Sequence, residues 1–258
     1  MAPALNQPAL KHGVSDLAIY RVLRDGVKGT PMVSPDISRI ERWQVVGYLR
    51  TLMVHSTRRG VEQVKLNINV SSEQLLTAGS KSDEWLTYSG SFNGVRYTPL
   101  AEINASNVSK LRVRWVQQFD ISDPDPIIEA TPLVANGVIF TTKPPSNVVA
   151  LDAKTGREIW RHDQPISPKT ITCCGRYNRG LAILDHRLFL NSLDAHLLAL
   201  DANTGKVLWD TVVADNTDGY SMTGAPLIAG QSVIVGIAGG DLGIRGFLAA
   251  YDPATDRQ

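Results

Sequence analysis

The chain has little cysteine and no excess of charge of either sign. Two of its 258 residues are cysteines, and 26 basic against 25 acidic side chains leave a formal net charge of +1. A chain this close to neutrality lacks the basic excess that neutralises phosphates, which argues against a nucleic-acid partner. The cysteines form no C-x-x-C motif, no cluster with zinc-ligand spacing and no C-x-x-C-H motif. These residues therefore provide neither a structural zinc site nor a site for covalent haem attachment.

Long apolar runs are absent as well. No stretch approaches the roughly 18–20 apolar residues of a transmembrane helix, so the sequence predicts no membrane span. The N-terminus shows no basic segment followed by an apolar one, so no signal peptide is visible. With 43% hydrophobic and 20% charged residues, the composition is that of an ordinary globular protein.

The two cysteines, Cys173 and Cys174, are neighbours in the stretch ITCCGRYNRG (171–180). Across a trans peptide their Cα atoms lie about 3.8 Å apart, below the range of about 4.4–6.8 Å usual for disulfides. A bond between them would close a strained and rigid ring. The residues alone leave two alternatives open: this vicinal disulfide, or two reduced thiols buried as small hydrophobic side chains.

The second half of the chain contains an internal repeat. Its copies are NVVALDAKTGREIWRHDQP (147–165), HLLALDANTGKVLWDTVVAD (196–215) and GFLAAYDPATDRQ (246–258). The first two share a D-x-x-T-G segment, in which Asp opens a turn by bonding its own backbone and Gly supplies positive φ. Each copy therefore predicts two antiparallel strands, the second carrying a tryptophan such as Trp160 or Trp209.

Further apolar runs at 131–143, 181–192 and 225–238 lie between the copies. Four strands in about 50 residues indicate one blade of a β-propeller, with a β-sandwich or two-sheet repeat as the alternative. We therefore predict a mainly β fold with about two to three blades. Closed propellers have about four to eight blades, so this one would be incomplete.

The N-terminal part is different, because apolar residues recur there at helical spacing. Helices are predicted over 15–27 and 37–53, with Ser15 and Ser38 as N-terminal caps. The polar stretch that follows is interpreted as a linker. We predict three parts along the chain: a helical segment at 1–54, a linker at 55–82 and propeller blades at 83–258.

Five segments together resemble the quinoprotein alcohol dehydrogenases. They are residues 85–115, 129–134, 173–180, 194–210 and 239–247. Members of that family hold pyrroloquinoline quinone (PQQ) and a metal ion at the axis of an eight-bladed propeller. The resemblance thus implies a partial eight-bladed propeller whose repeat tryptophans dock one blade against the next.

The resemblance also implies roles for individual residues at the cofactor. Cys173 and Cys174 would form a vicinal disulfide packed against the quinone ring. Glu129 would lie near the polar rim of PQQ, Arg179 would pair with one cofactor carboxylate, and the Thr223 hydroxyl would donate to another.

A metal ligand is implied in the segment GGDLG, where the family usually has G-A-E-F-G. Gly239 and Gly240 would lie beside the cofactor and Asp241 would bind the metal. Aspartate supplies the oxygen ligands that calcium prefers, but it is one methylene shorter than glutamate. We therefore expect calcium or another divalent or trivalent ion at Asp241, and an ion larger than calcium is a candidate.

The N-terminal segment resembles the C-terminal half of a cytochrome c domain. In LRDGVKGTPM, Met32 matches the axial ligand of the haem iron. Because the C-x-x-C-H motif is missing, haem c is expected only in a longer chain with that motif upstream.

The resemblance implies that PQQ oxidises an alcohol and that electrons pass to a cytochrome c, either a separate protein or one fused to the same chain. It also implies a periplasmic location. The general base is expected beyond residue 258, so the isolated chain is expected not to turn over alcohol. The alternative is a non-catalytic β-propeller scaffold, such as an outer-membrane assembly lipoprotein. A free-standing electron carrier conflicts with the missing haem motif.

Overall fold

The structure, a computed structural model, describes residues 15–57, 65–80, 83–119, 127–172 and 175–258. The chain divides into two compact units. Unit 1 comprises Met1–Val64, Glu102–Asp120 and Thr155–Arg157. Unit 2 comprises Lys65–Ala101, Ile121–Lys154 and Glu158–Gln258. None of the helices in the described ranges is long and apolar enough to cross a membrane.

Unit 1 contains the two predicted helices, α1 (Asp16–Asp25) and α2 (Arg39–Thr57). The Ser15 hydroxyl caps α1 by accepting a hydrogen bond from the backbone N–H of Ala18 at 3.1 Å. A small core joins the two helices and consists of Ile19, Leu23, Val46, Leu49 and Met53. The Ser38 hydroxyl likewise accepts a hydrogen bond from the backbone N–H of Glu41 at 3.2 Å, just before α2. The sequence prediction of two capped helices in this segment is therefore confirmed.

Unit 2 contains three antiparallel sheets that follow one another along the chain. The first consists of β1 (Leu133–Ala135), β2 (Val138–Lys143), β3 (Asn147–Asp152) and β4 (Glu158–His162). The second consists of β5 (Ala182–Leu184), β6 (Arg187–Asn191), β7 (His196–Asp201) and β8 (Val207–Val212). The third consists of β9 (Leu227–Ala229), β10 (Ser232–Gly236) and β11 (Leu248–Tyr251). In each sheet the strands pair in chain order, as the repeat predicts.

The sheets repeat each other in detail as well as in order. Phe140 on β2 pairs with the first residue of β1, and Phe189 on β6 pairs with the first residue of β5. Both phenylalanines are completely buried. The register between the third and fourth strands shifts at the equivalent place in both sheets. The spacing of about 50 residues therefore corresponds to one structural unit, as predicted.

Tryptophans join one sheet to the next. The indole N–H of Trp160 donates to the carbonyl of Ala202 at 3.1 Å, and that of Trp209 donates to the carbonyl of Pro253 at 3.2 Å. Both acceptors directly follow the aspartate of the next D-x-x-T turn. Gly205 of such a turn has φ +73°, and its Cα faces the Trp160 ring. The predicted docking role of these tryptophans is confirmed.

Part of the stretch interpreted as a linker packs within unit 2. Residues 65–80 include a short helix, α3 (Ser72–Leu76), and three buried side chains, Ile68, Val70 and Leu75, in the core of the sheets. Val70 also forms an isolated antiparallel bridge with Asp185. At least these residues belong to the sheet unit, whereas the exact domain boundaries stay a prediction.

Candidate functional site

The site is built where the first strand of each sheet begins. The segments that lead into β1, β5 and β9 lie side by side and share backbone hydrogen bonds. The N–H of Thr131 donates to the carbonyl of Arg179 at 3.2 Å, and the N–H of Arg179 donates to the carbonyl of Thr223 at 2.9 Å. Because neighbouring sheets are joined at this point, side chains from three distant parts of the sequence meet there.

Side chains at the end of the second strands strengthen this junction. The hydroxyl of Thr142, on β2, donates to the carbonyl of Asn178 at 3.1 Å. Asn191 occupies the equivalent position on β6, and its amide donates to the carbonyl of Gly224 at 2.9 Å. The Asn178 amide in turn donates to the Asn191 carbonyl at 2.6 Å. Thr142, Asn178 and Asn191 are buried, so these bonds are protected from competition with water.

The junction brings three of the predicted cofactor residues together. The Nε of Arg179 lies 3.1 Å from a carboxylate oxygen of Glu129. Its Nη1 donates to the hydroxyl of Thr223 at 2.6 Å. The Arg179 and Glu129 side chains are 34% and 39% exposed, so water screens their ion pair in part. The cluster is an oriented guanidinium at an accessible surface.

The guanidinium keeps donors for a ligand. It carries five N–H groups in a planar fork. Within the described part of the chain, Arg179 directs three of them at Glu129, Thr223 and the hydroxyl of Tyr177, the last at 3.5 Å. One N–H remains on each Nη atom. Two donors on one cation suit a carboxylate, which can accept two such bonds at once.

The predicted metal segment lies at the same end of the third sheet. Gly240–Leu242 form a 3₁₀ turn after β10, and Asp241 is exposed on it. The backbones of Ser221 and Ala238 exchange two hydrogen bonds, which place the segment leading into β9 beside the one that follows β10. In the described ranges, however, His, Cys, Asp and Glu side chains form no cluster of three that could hold a metal.

The structure does not test two other predicted sites, the cysteine pair and the haem ligand. Cys173 and Cys174 lie outside the described residues. Met32 belongs to unit 1, where it lies between the two helices and is 44% exposed. Its carbonyl accepts a hydrogen bond from the N–H of Val27 at 2.9 Å. The proposed roles of these three residues stay predictions.

Sequence analysis missed two kinds of residue at the site. One is Tyr177, whose ring lies against the Arg179 guanidinium. Its only sequence signal is a position two residues before Arg179, which places both side chains on the same side of an extended segment. The other kind comprises Thr142 and Asn191, whose equivalent positions in the repeat are visible only when the second strands are aligned.

The family model described as glucose/ethanol/alcohol dehydrogenase, β-propeller domain, PQQ matches residues 85–258. The chain belongs to this family. The three sheets of unit 2 are therefore blades of a quinoprotein β-propeller, and the predicted fold class is confirmed. The predicted family of PQQ-dependent alcohol dehydrogenases is likewise confirmed.

Individual quinoprotein relatives agree with this assignment. The quinohemoprotein alcohol dehydrogenase ADH IIB of Pseudomonas putida is 39% identical over 176 residues, which are 67% of this chain and 25% of that protein. The 1-butanol dehydrogenase (cytochrome c) of Thauera butanivorans is 36% identical over 203 residues, 77% of this chain and 28% of that protein. A europium-containing methanol dehydrogenase superposes with a TM-score of 0.65 at 34% identity, over 72% of this chain and 33% of that protein. The chain thus spans between a quarter and a third of the length of these relatives.

Proposed function

We propose that this chain supplies part of the PQQ site of a dehydrogenase that oxidises an alcohol. One observation carries the proposal: Glu129, Thr223 and Tyr177 hold Arg179 at the junction of three blades and leave two of its five N–H groups over. PQQ bears carboxylates, and this donor set fits a carboxylate. Of the two functions considered from the sequence, only cofactor binding requires such a cluster.

Each residue of the cluster has a separate task in this proposal. Arg179 binds a cofactor carboxylate through its two remaining donors. Glu129 holds the guanidinium through its Nε, and the Thr223 hydroxyl already accepts a hydrogen bond from Arg179. Thr223 is 7% exposed. When bound, PQQ supplies the two-electron oxidation of the alcohol to the carbonyl compound, its quinone being reduced to the quinol. The protein residues bind and orient the cofactor.

A metal ion is proposed at Asp241. Its exposed carboxylate lies at the same end of the third sheet as Thr223 and provides hard oxygen ligands. Calcium or a larger divalent or trivalent ion would suit it, and a structural relative contains europium. Among the described residues, Asp241 is not part of a group of three His, Cys, Asp or Glu side chains that could hold a metal, so the remaining ligands of the proposed ion are not assigned.

The electron acceptor is proposed to be a cytochrome c, in the bacterial periplasm. The names of two relatives, a quinohemoprotein alcohol dehydrogenase and a 1-butanol dehydrogenase (cytochrome c), support this acceptor. Met32 is retained as a haem ligand only for a chain that carries C-x-x-C-H upstream. Helices α1 and α2 precede and follow Met32 in the chain and would belong to that haem domain. This sequence itself contains no C-x-x-C-H motif.

Equilibrium binding of PQQ tests the proposal. We expect the full-length gene product to bind PQQ in the presence of calcium and to bind its trimethyl ester at least tenfold more weakly, because the ester lacks the anionic carboxylates that Arg179 recognises. Tryptophan fluorescence quenching reports both titrations. Failure to bind PQQ would leave the scaffold alternative; equal affinities would show that Arg179 does not recognise a carboxylate.

A thiol count tests the proposed vicinal disulfide. Protein purified without reductant and denatured in the presence of a thiol reagent should show no free thiol from Cys173 and Cys174. The same sample should show two thiols after reduction. Two reactive thiols before reduction would mean that these neighbours are ordinary reduced cysteines.

A further inference from the structure

The aromatic ring of Tyr177 forms one wall of the Arg179 cluster. The central guanidinium carbon of Arg179 lies 5.0 Å from the ring centroid, within the range of cation–π attraction. Tyr177 is 8% exposed, so little water weakens this attraction. The phenol oxygen lies 3.5 Å from Nη2, at the outer limit of a hydrogen bond. The ring therefore holds the guanidinium more firmly than the hydroxyl does.

Gly175 gives the ring its position. This residue has φ +107°, a backbone conformation that residues with a Cβ atom rarely adopt. A Cβ atom added there would lie 2.5 Å from Cε1 of Tyr177, far inside van der Waals contact. The ring thus packs directly on the backbone of the turn. Any side chain at position 175 would move the ring away from this place.

We propose that Tyr177 is a positioning residue that orients Arg179 for binding the cofactor carboxylate, a proposal that rests on the proposed function. Glu129 and Thr223 fix two edges of the guanidinium, and the Tyr177 ring restricts the remaining rotation of its plane. An arginine side chain loses rotamer freedom when it binds a ligand, and a guanidinium ordered in advance loses less of it. Tyr177 acts through Arg179 and is assigned no contact with PQQ.

Variants at positions 177 and 175 test the proposal through the dissociation constant for PQQ in the full-length gene product. We expect Tyr177→Leu to weaken binding about tenfold, because it removes the cation–π contact. Tyr177→Phe keeps the ring and should weaken binding less than about threefold. Gly175→Ala should resemble Tyr177→Leu, since it displaces the ring. Unchanged affinity in Tyr177→Leu would overturn the proposal.

A double-mutant cycle separates positioning from a general structural effect. If Tyr177 acts through Arg179, Tyr177→Leu should have no further effect on PQQ affinity in an Arg179→Met background. The same loss in both backgrounds would show that Tyr177 only supports the fold, and the proposal would fail.

A crystal structure of the cofactor-free Tyr177→Leu protein gives a reading that does not depend on PQQ. We expect Arg179 in one conformer in the unaltered protein and in several, or displaced, in the variant. If unaltered protein does not bind PQQ, the proposed function fails, while this comparison still decides whether Tyr177 orients Arg179. An unmoved Arg179 in the variant would contradict the inference.

Discussion

Replacing Arg179 with methionine should weaken PQQ binding by about two orders of magnitude. Methionine keeps an unbranched side chain but removes both donors that would face the cofactor carboxylate in the proposed site. A hydrogen bond to a charged group contributes about 1.5–3 kcal/mol, so losing two costs at least about 3 kcal/mol, or roughly a hundredfold in affinity. The change also leaves Glu129 without its cation, and that carboxylate would then repel an anionic cofactor.

Arg187→Met is the matched control for this substitution. Arg187 is the first residue of β6 in the same blade and pairs with Asp185 at 3.6 Å. It lies opposite the last residue of β5, whereas Arg179 precedes the first. We expect this variant to bind PQQ within about twofold of the unaltered protein. Fluorescence titration measures both dissociation constants. If the two variants weaken binding equally, the loss reflects net charge and not the Arg179 site.

The repeat could be predicted from sequence because each blade carries its own local signals. An Asp-initiated turn and a short apolar strand depend on neighbours within a few residues, so the pattern around Asp201 is as readable as that around Asp152. The helices α1 and α2 were predictable for the same reason, as Ser15 and the apolar spacing lie within one segment. Local chemistry thus fixes the elements and their order.

The contacts within the Arg179 cluster were harder to predict from the sequence. Arg179, Glu129 and Thr223 were named from a family resemblance, and their mutual contacts arise only when three blades are joined. The contact between Tyr177 and Arg179 depends on the positive φ of Gly175. A glycine in the sequence permits a positive φ but does not require it. Packing between elements, and not local propensity, sets these distances.

The polar stretch before the blades shows the same limitation. Ile68, Val70 and Leu75 are separated by polar residues and lack a regular period, which favoured the interpretation as a linker. Their burial depends on the sheet surface that they cover, and that surface is formed by strands that begin only at Leu133. A segment without periodicity can therefore still contribute to a core when another element supplies the surface.

The blade junctions also supply much of the stability on which the site depends. Trp160→Ala should destabilise unit 2 by about 3 kcal/mol, because it removes a large side chain that packs between two blades. The indole lies 5.8 Å from the Phe140 ring and donates its N–H to the Ala202 carbonyl. In a unit of this size, such a loss corresponds to a melting temperature about 6–12 °C lower. Differential scanning calorimetry measures it.

A substitution at Gly205 disturbs the contact between Trp160 and the next blade from the side of that blade. In Gly205→Ala the new Cβ would lie 2.5 Å from Cε3 of Trp160, so the indole must move and overpacking of about 1–3 kcal/mol is expected. Gly137→Ala is the control, since Gly137 has a similar φ of +76° but nothing lies within 4 Å of the added Cβ. Both variants share the backbone strain, so the difference between their melting temperatures isolates the contact with Trp160. Equal melting temperatures would mean that the blades are held together elsewhere, and a normal melting temperature for Trp160→Ala would confirm that result.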